Sequence, residues 1–193
     1  KIIAKTQITP NQVTWLSFII LIFASWMISS GNKEKIFIGG ILVLLCYLLD
    51  NIDGNLARLK EKMSKKGAWL DSTLDRIGEI VLFFGMSWGL YQQTIDITSW
   101  IYGFISICSL MITYLLLNST NSLLGTNKLK DETKGLFLKI EKVGIKKNCF
   151  ILGIDLHRTI IGIGLIFNQI QLIFFFFMFI QTIYWMIIFL TSY

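Results

Sequence analysis

Residues 50–75 read Asp50-Asn51-Ile52-Asp53-Gly54-Asn55-Leu56-Ala57-Arg58-Leu59-Lys60-Glu61-Lys62-Met63-Ser64-Lys65-Lys66-Gly67-Ala68-Trp69-Leu70-Asp71-Ser72-Thr73-Leu74-Asp75. Four aspartates stand at the facing ends of two long apolar stretches, with a basic connection at residues 58–66 between them. On a helix of 3.6 residues per turn, Asp50 and Asp53 are three apart and Asp71 and Asp75 four apart, so each pair shares a face. Two antiparallel helices joined at that connection bring all four acids to a similar depth. A charged Asp costs about 2.5–3.5 kcal/mol at the centre of a membrane helix, so such residues are rare and functional by default.

The rest of the chain supplies the membrane context. Of 193 residues, 54% are apolar and 16% charged, with a mean hydropathy of +0.63; this excludes an ordinary soluble domain. A spanning helix needs about 20 predominantly apolar residues, and six stretches approach that length: roughly 11–30, 36–57, 70–91, 97–117, 149–168 and 170–191. The expected fold is an all-α integral membrane protein of six transmembrane helices, forming a single domain over residues 1–193. Lys1, Lys5, Arg58, Lys60, Lys62, Lys65, Lys66, the lysines between Lys128 and Lys147, and Arg158 fall on one side, against Lys33 and Lys35 on the other. By the positive-inside rule, both termini and the acids are cytoplasmic. The net charge of +6 is mostly this asymmetry and suits contact with anionic lipid. With no zinc-finger spacing or aromatic RNA-binding motif, nucleic acid is not an expected partner.

Thr9-Pro10-Asn11-Gln12 reads as a capped helix start, with Thr9 as N-cap and Gln12 completing a capping box. Short turns are expected at Gly31 to Lys35 and Thr94 to Ser99. The polar stretch from Asn118 to Asn148 reads as a solvated basic loop, with an interfacial amphipathic helix over Leu136 to Ile145 as the alternative. Gly85-x3-Gly89 allows a close helix contact, either within the chain or across a dimer. The run Phe174 to Phe177 is expected to face lipid. Cys46, Cys108 and Cys149 have no metal-ligand spacing and read as small buried hydrophobes. No cleavable signal is evident, and a start at Lys1 leaves room for an upstream segment.

Unneutralised, four adjacent carboxylates repel one another. Hard oxygen ligands without nearby His or Cys favour Mg²⁺, Mn²⁺ or Ca²⁺ over zinc. Gly54 and, one turn on, Ala57 keep the surface clear of bulk, while Arg58 adds a forked donor suited to phosphate. Together these describe a site for a metal-bound phosphate or diphosphate. The competing structural reading has the acids cap helix ends or pair with lysines of the turn.

The full pattern, Asp50-x2-Asp53-Gly54-x2-Ala57-Arg58-x8-Gly67-x3-Asp71-x3-Asp75, resembles the signature of the CDP-alcohol phosphotransferases, with every position matched. The resemblance implies a two-metal membrane enzyme, using Mg²⁺ with Mn²⁺ as the alternative, that moves a substituted phosphate from a CDP-alcohol to the hydroxyl of a second alcohol and releases CMP. It also implies phospholipid or inositol phosphodiester synthesis in the cell membrane, and a homodimer is the expected assembly. By carry-over, Asp50, Asp53 and Asp71 would hold the first metal, and Asp75 would help hold the second and act as general base. Asp50, Asp53, Gly54, Ala57, Arg58, Gly67 and Asp71 would line the CDP site.

The segments Ile8 to Thr14 and Asp155-x2-Arg158 are similar to archaeal-type members, including those handling inositol phosphates. Some relatives carry an upstream nucleotidyltransferase domain. A phosphorylated acceptor, such as inositol phosphate or glycerol phosphate, needs a cation opposite the metals. Arg158 is the first candidate for it, with Lys134 and Lys139 behind; a helix-end cation is the alternative reading of Arg158, and His157 reads as an interfacial residue. From another functional class, the rival is a cation transporter using the acids as its ion site, which Arg58 opposes. An inactive homologue is the third reading.

Overall fold

The structure is a computed structural model describing residues 9–59, 64–112, 114–115 and 147–191. Among these residues the chain is entirely helical in its regular structure: α1 (Pro10–Ser29), α2 (Lys33–Leu59), α3 (Lys65–Thr94), α4 (Thr98–Ile112), α5 (Lys147–Ile166) and α6 (Ile170–Thr191). Two stretches, Pro10–Ser29 and Lys33–Ile52, are long and apolar enough to cross a membrane, while Thr98–Ile112, His157–Ile166 and Ile170–Phe179 are shorter apolar stretches.

The first helix begins as its residues dictate. Thr9 is the N-cap, Pro10 takes the first helical position where its missing N–H costs nothing, and the Thr9 N–H donates to Gln12 Oε1 at 2.9 Å. The helix runs to Ser29, and Gly31, at φ +69°, makes the reversal into α2. Between α2 and α3 the helices reach further into the basic connection than residues 58–66 predict. Ser64 caps α3, its Oγ accepting the Gly67 N–H at 3.0 Å. Asp96 starts α4, accepting the Thr98 N–H at 3.0 Å and the Thr98 hydroxyl at 2.7 Å. These bonds hold the exposed Asp96 carboxyl below its ordinary value.

Three reversals meet at one end of the bundle. The Gln93 amide donates to the Gly31 carbonyl at 3.0 Å and to Asn168 Oδ1 at 2.9 Å, tying the α1–α2 and α5–α6 turns to the end of α3. The acid-bearing ends of α2 and α3 therefore lie at the opposite end.

Glycines set the closest approaches. A Cβ on Gly85 would overlap Ser25, and one on Gly89 would overlap the Ile28 carbonyl. The Gly85-x3-Gly89 pair is thus spent within the chain, seating α3 on α1, where the Ser25 hydroxyl donates to the Val81 carbonyl at 2.6 Å. Gly40 and Gly162 bring α2 and α5 together in the same way.

The expectation that Phe174 to Phe177 face lipid requires correction. Phe174 and Phe177, three apart and so on one helical face, are fully buried, and both rings pack on Phe83 of α3; Phe175 is exposed. Large apolar side chains also cover the outside, among them Trp15, Ile19, Phe84, Ile101 and Phe104. Apolar surface on this scale requires an apolar surrounding.

Candidate active site

Helix α2 delivers Asp50, and α3 delivers Asp71 and Asp75 from successive turns. One carboxylate oxygen from each lies within 4.8 Å of the others. Oxygens around an octahedral Mg²⁺ at 2.0–2.1 Å stand roughly 3–4 Å apart, so small side-chain movements suffice to close this set on such an ion.

Arg158 enters the cluster from α5. Its guanidinium donates to Asp75 Oδ1, and its Nη1 lies 3.5 Å from Asp50 Oδ1. Only 8% exposed, it stands within Lys147–Ile166 as an interior residue rather than as a cation at a helix end. Three carboxylates against one guanidinium leave a charge deficit of the size a single divalent cation would fill. The all-oxygen donor set suits Mg²⁺ or Mn²⁺.

Beneath the cluster, Thr14 and Ser17 of α1 close a cavity of about 10 Å³ against Asp50, Asp75 and Arg158. That is room for roughly one water, so a substrate reaches the acids from their exposed side. Ser17 is itself held by α2, its hydroxyl donating to the Cys46 carbonyl at 3.3 Å. Gly67 lies in the first turn of α3 beside α1, where an added Cβ would stand 3.3 Å from Asn11 Oδ1. The absence of a side chain keeps that gap open.

Of the other residues singled out from sequence, Asp53, Gly54, Ala57 and Arg58 lie on the last turns of α2, but their side chains fall outside the described residues. Lys134 and Lys139, the 118–146 stretch and the side chain of Asp155 also lie outside them. His157, read as interfacial, is half-buried with its ring 5.0 Å from that of Phe177.

A second polar cluster adjoins the first. Arg76 Nη1 lies 2.6 Å from Glu79 Oε2, and the Arg76 guanidinium sits 4.2 Å from the centre of the Tyr114 ring. The Tyr114 hydroxyl shares a 2.8 Å hydrogen bond with Ser72. Sequence reasoning passed over these residues, although two charges within an apolar stretch are themselves a signal.

A sequence profile described as CDP-alcohol phosphatidyltransferase matches residues 7–192, nearly the whole chain. The chain belongs to the CDP-alcohol phosphatidyltransferase family. Among curated relatives, an archaetidylinositol phosphate synthase of Pyrococcus horikoshii is 39% identical over 89 residues, 46% of this chain and 46% of that protein. A bifunctional IPC transferase and DIPP synthase of Aquifex aeolicus is 32% identical over 108 residues, covering 56% and 24% of the two chains. A phosphatidylinositol phosphate synthase of Cutibacterium acnes is 35% identical over 83 residues, covering 43% and 39%. The match to each relative spans less than half of that protein's length.

Proposed function

We propose that this family member is a membrane transferase that moves the substituted phosphate of a CDP-alcohol to the hydroxyl of a phosphorylated polyol, releasing CMP. The observation that carries this reading is the convergence of Asp50, Asp71 and Asp75 with Arg158 in one partly exposed cluster. Inositol phosphate is the favoured acceptor, because two of the relatives are named for inositol phosphate products. A CDP-lipid is the favoured donor.

Asp50, Asp71 and Asp75 would hold divalent metal, with Asp53 completing the set and a second ion shared with the donor. Bound there, the metal would neutralise the phosphoryl oxygens and the leaving phosphate. By the family pattern, Gly54, Ala57, Arg58 and Gly67 would line the CDP side. Asp75, last in the motif, accepts the acceptor hydroxyl's proton as that oxygen bonds to phosphorus. The bond from phosphorus to the CMP oxygen breaks, and CMP leaves with the electron pair. Arg158 binds the acceptor's phosphate and holds its hydroxyl near Asp75; Lys134 and Lys139 would add charge on the same side.

In this reading residues 1–193 form one domain, crossing the cell membrane six times with both termini and the site facing the cytoplasm. The lysine asymmetry and the common end shared by three turns support that topology. A homodimer would use a face other than Gly85-x3-Gly89, which α1 covers. Cation transport is disfavoured because Arg158 places a fixed positive charge among the acids.

The test is a matrix of donors and acceptors with purified protein. CMP release should require Mg²⁺ or Mn²⁺ and be greatest with a phosphorylated inositol. No release from folded protein with CDP-diacylglycerol, an archaeal CDP-lipid or CDP-inositol would overturn the reading.

A further inference from the structure

We infer that Arg76 is a positioning residue: by neutralising Glu79 it keeps Arg158 on the Asp50 and Asp75 carboxylates. Asp75 and Glu79 are four apart on α3 and so share a face. Arg158 approaches that face from α5, bonded to Asp75 and within electrostatic reach of Glu79. The Glu79 side chain is 13% exposed, against 33% for Asp50 and 27% for Asp75. A carboxylate so withdrawn from water needs a cationic partner to stay charged, and Arg158 is the second guanidinium on its face.

Arg158 nevertheless pairs with Asp75 and Asp50. The reason lies in the adjoining cluster, where Arg76 holds Glu79 at 2.6 Å. The Tyr114 ring, 4.2 Å from the guanidinium, seats Arg76 by a cation–π contact. Ser72, one turn earlier on α3, fixes the Tyr114 hydroxyl at 2.8 Å. Two guanidiniums are thereby sorted among three acids, and Arg158 is assigned to the pair that faces substrate. The inference rests on the proposed function only for what Arg158 then does with an acceptor.

Its test needs no turnover. Arg158 and a divalent cation draw on the same two carboxylates, so Mn²⁺ affinity reports where Arg158 sits. In the full chain in nanodiscs, free Mn²⁺ measured by electron paramagnetic resonance gives that affinity. Arg76→Gln takes the ion-pair partner from Glu79, draws Arg158 toward it, and should tighten Mn²⁺ binding about tenfold, a usual size for coupling within such a network. The double variant Arg76→Gln/Glu79→Gln should return to the wild-type affinity. On an Arg158→Gln background, Arg76→Gln should add nothing. Unchanged affinity in Arg76→Gln, or equal affinity in the single and double variants, would overturn the assignment. If Arg76→Gln does not fold, Tyr114→Leu, which unseats Arg76 but keeps both charges, should move the affinity in the same direction; no movement counts against the proposal. Failure of the functional reading would be seen separately, as absent CMP release from a wild-type protein that shows this Mn²⁺ pattern.

Discussion

Replacing Arg158 with Met keeps most of the stem's volume and removes only the charge and its bonds. The structure sets the size of the effect. Taking away one partner of a buried ion pair costs about 3–5 kcal/mol, because the other charge is stranded. Here the stranded groups, Asp50 and Asp75, keep 33% and 27% of their side-chain surface exposed. Water can rehydrate them, and the cost falls to about 2 kcal/mol. For a chain of this length that is a drop of roughly 4–8 °C in Tm. It should appear in detergent with EDTA, read from tryptophan fluorescence during heating. Saturating Mn²⁺ should close most of the gap, since the cation restores the missing positive charge. Metal must therefore stabilise Arg158→Met more than wild type. Equal Tm values in EDTA, or equal stabilisation of both proteins by Mn²⁺, would refute the pairing of Arg158 with these acids. In turnover, the KM for a phosphorylated acceptor should rise tenfold or more, from loss of a charge-assisted hydrogen bond worth about 1.5–3 kcal/mol.

Asp75→Asn should lower kcat by roughly 10²–10⁴, the usual contribution of a general base, while leaving binding of the CDP-alcohol largely intact; near-normal turnover would remove Asp75 from that role. Gly85→Val should force α1 and α3 apart, costing about 1–3 kcal/mol for overpacking and about 0.6 kcal/mol more for the Ser25–Val81 hydrogen bond; thermal unfolding like wild type would show that this contact is not close. Asp96 has a lowered folded-state value, so its stabilising contribution is present above the ordinary carboxylate range and lost as pH falls through the folded value. Wild type should accordingly exceed Asp96→Asn in stability at neutral pH and converge with it in acid, as measured by unfolding across a pH series.

The acids were legible because carboxylates are costly in apolar company, and a spacing of three and four residues can be read directly as one helix face. The start of α1 was legible for a similar reason: Thr9, Pro10 and Gln12 act within a single turn. What the sequence hid was partnership between distant residues. Gly85-x3-Gly89 declares a close contact without naming the helix that fills it, and only the fold shows Ser25 and Ile28 there. Arg158 has the same identity whether it ends a helix or enters a site; its pairing with residues 83 and 108 positions earlier in the chain has no local signal. Arg76 and Glu79 were overshadowed by Asp75, and Tyr114, on another helix, gave no hint that it sits beneath Arg76. The Phe174 to Phe177 run was misread as a block, whereas helical period sends two of its members inward.

One comparison bears on the whole reading. Purified wild type and Asp71→Asn would be incubated with CDP-diacylglycerol and inositol phosphate, with Mn²⁺ or with EDTA, and CMP quantified together with the lipid product. Wild type with Mn²⁺ should release CMP and form an equal amount of phosphatidylinositol phosphate, while EDTA or Asp71→Asn should abolish both. CMP release that persists in EDTA or in Asp71→Asn would contradict a metal-dependent transfer centred on these carboxylates.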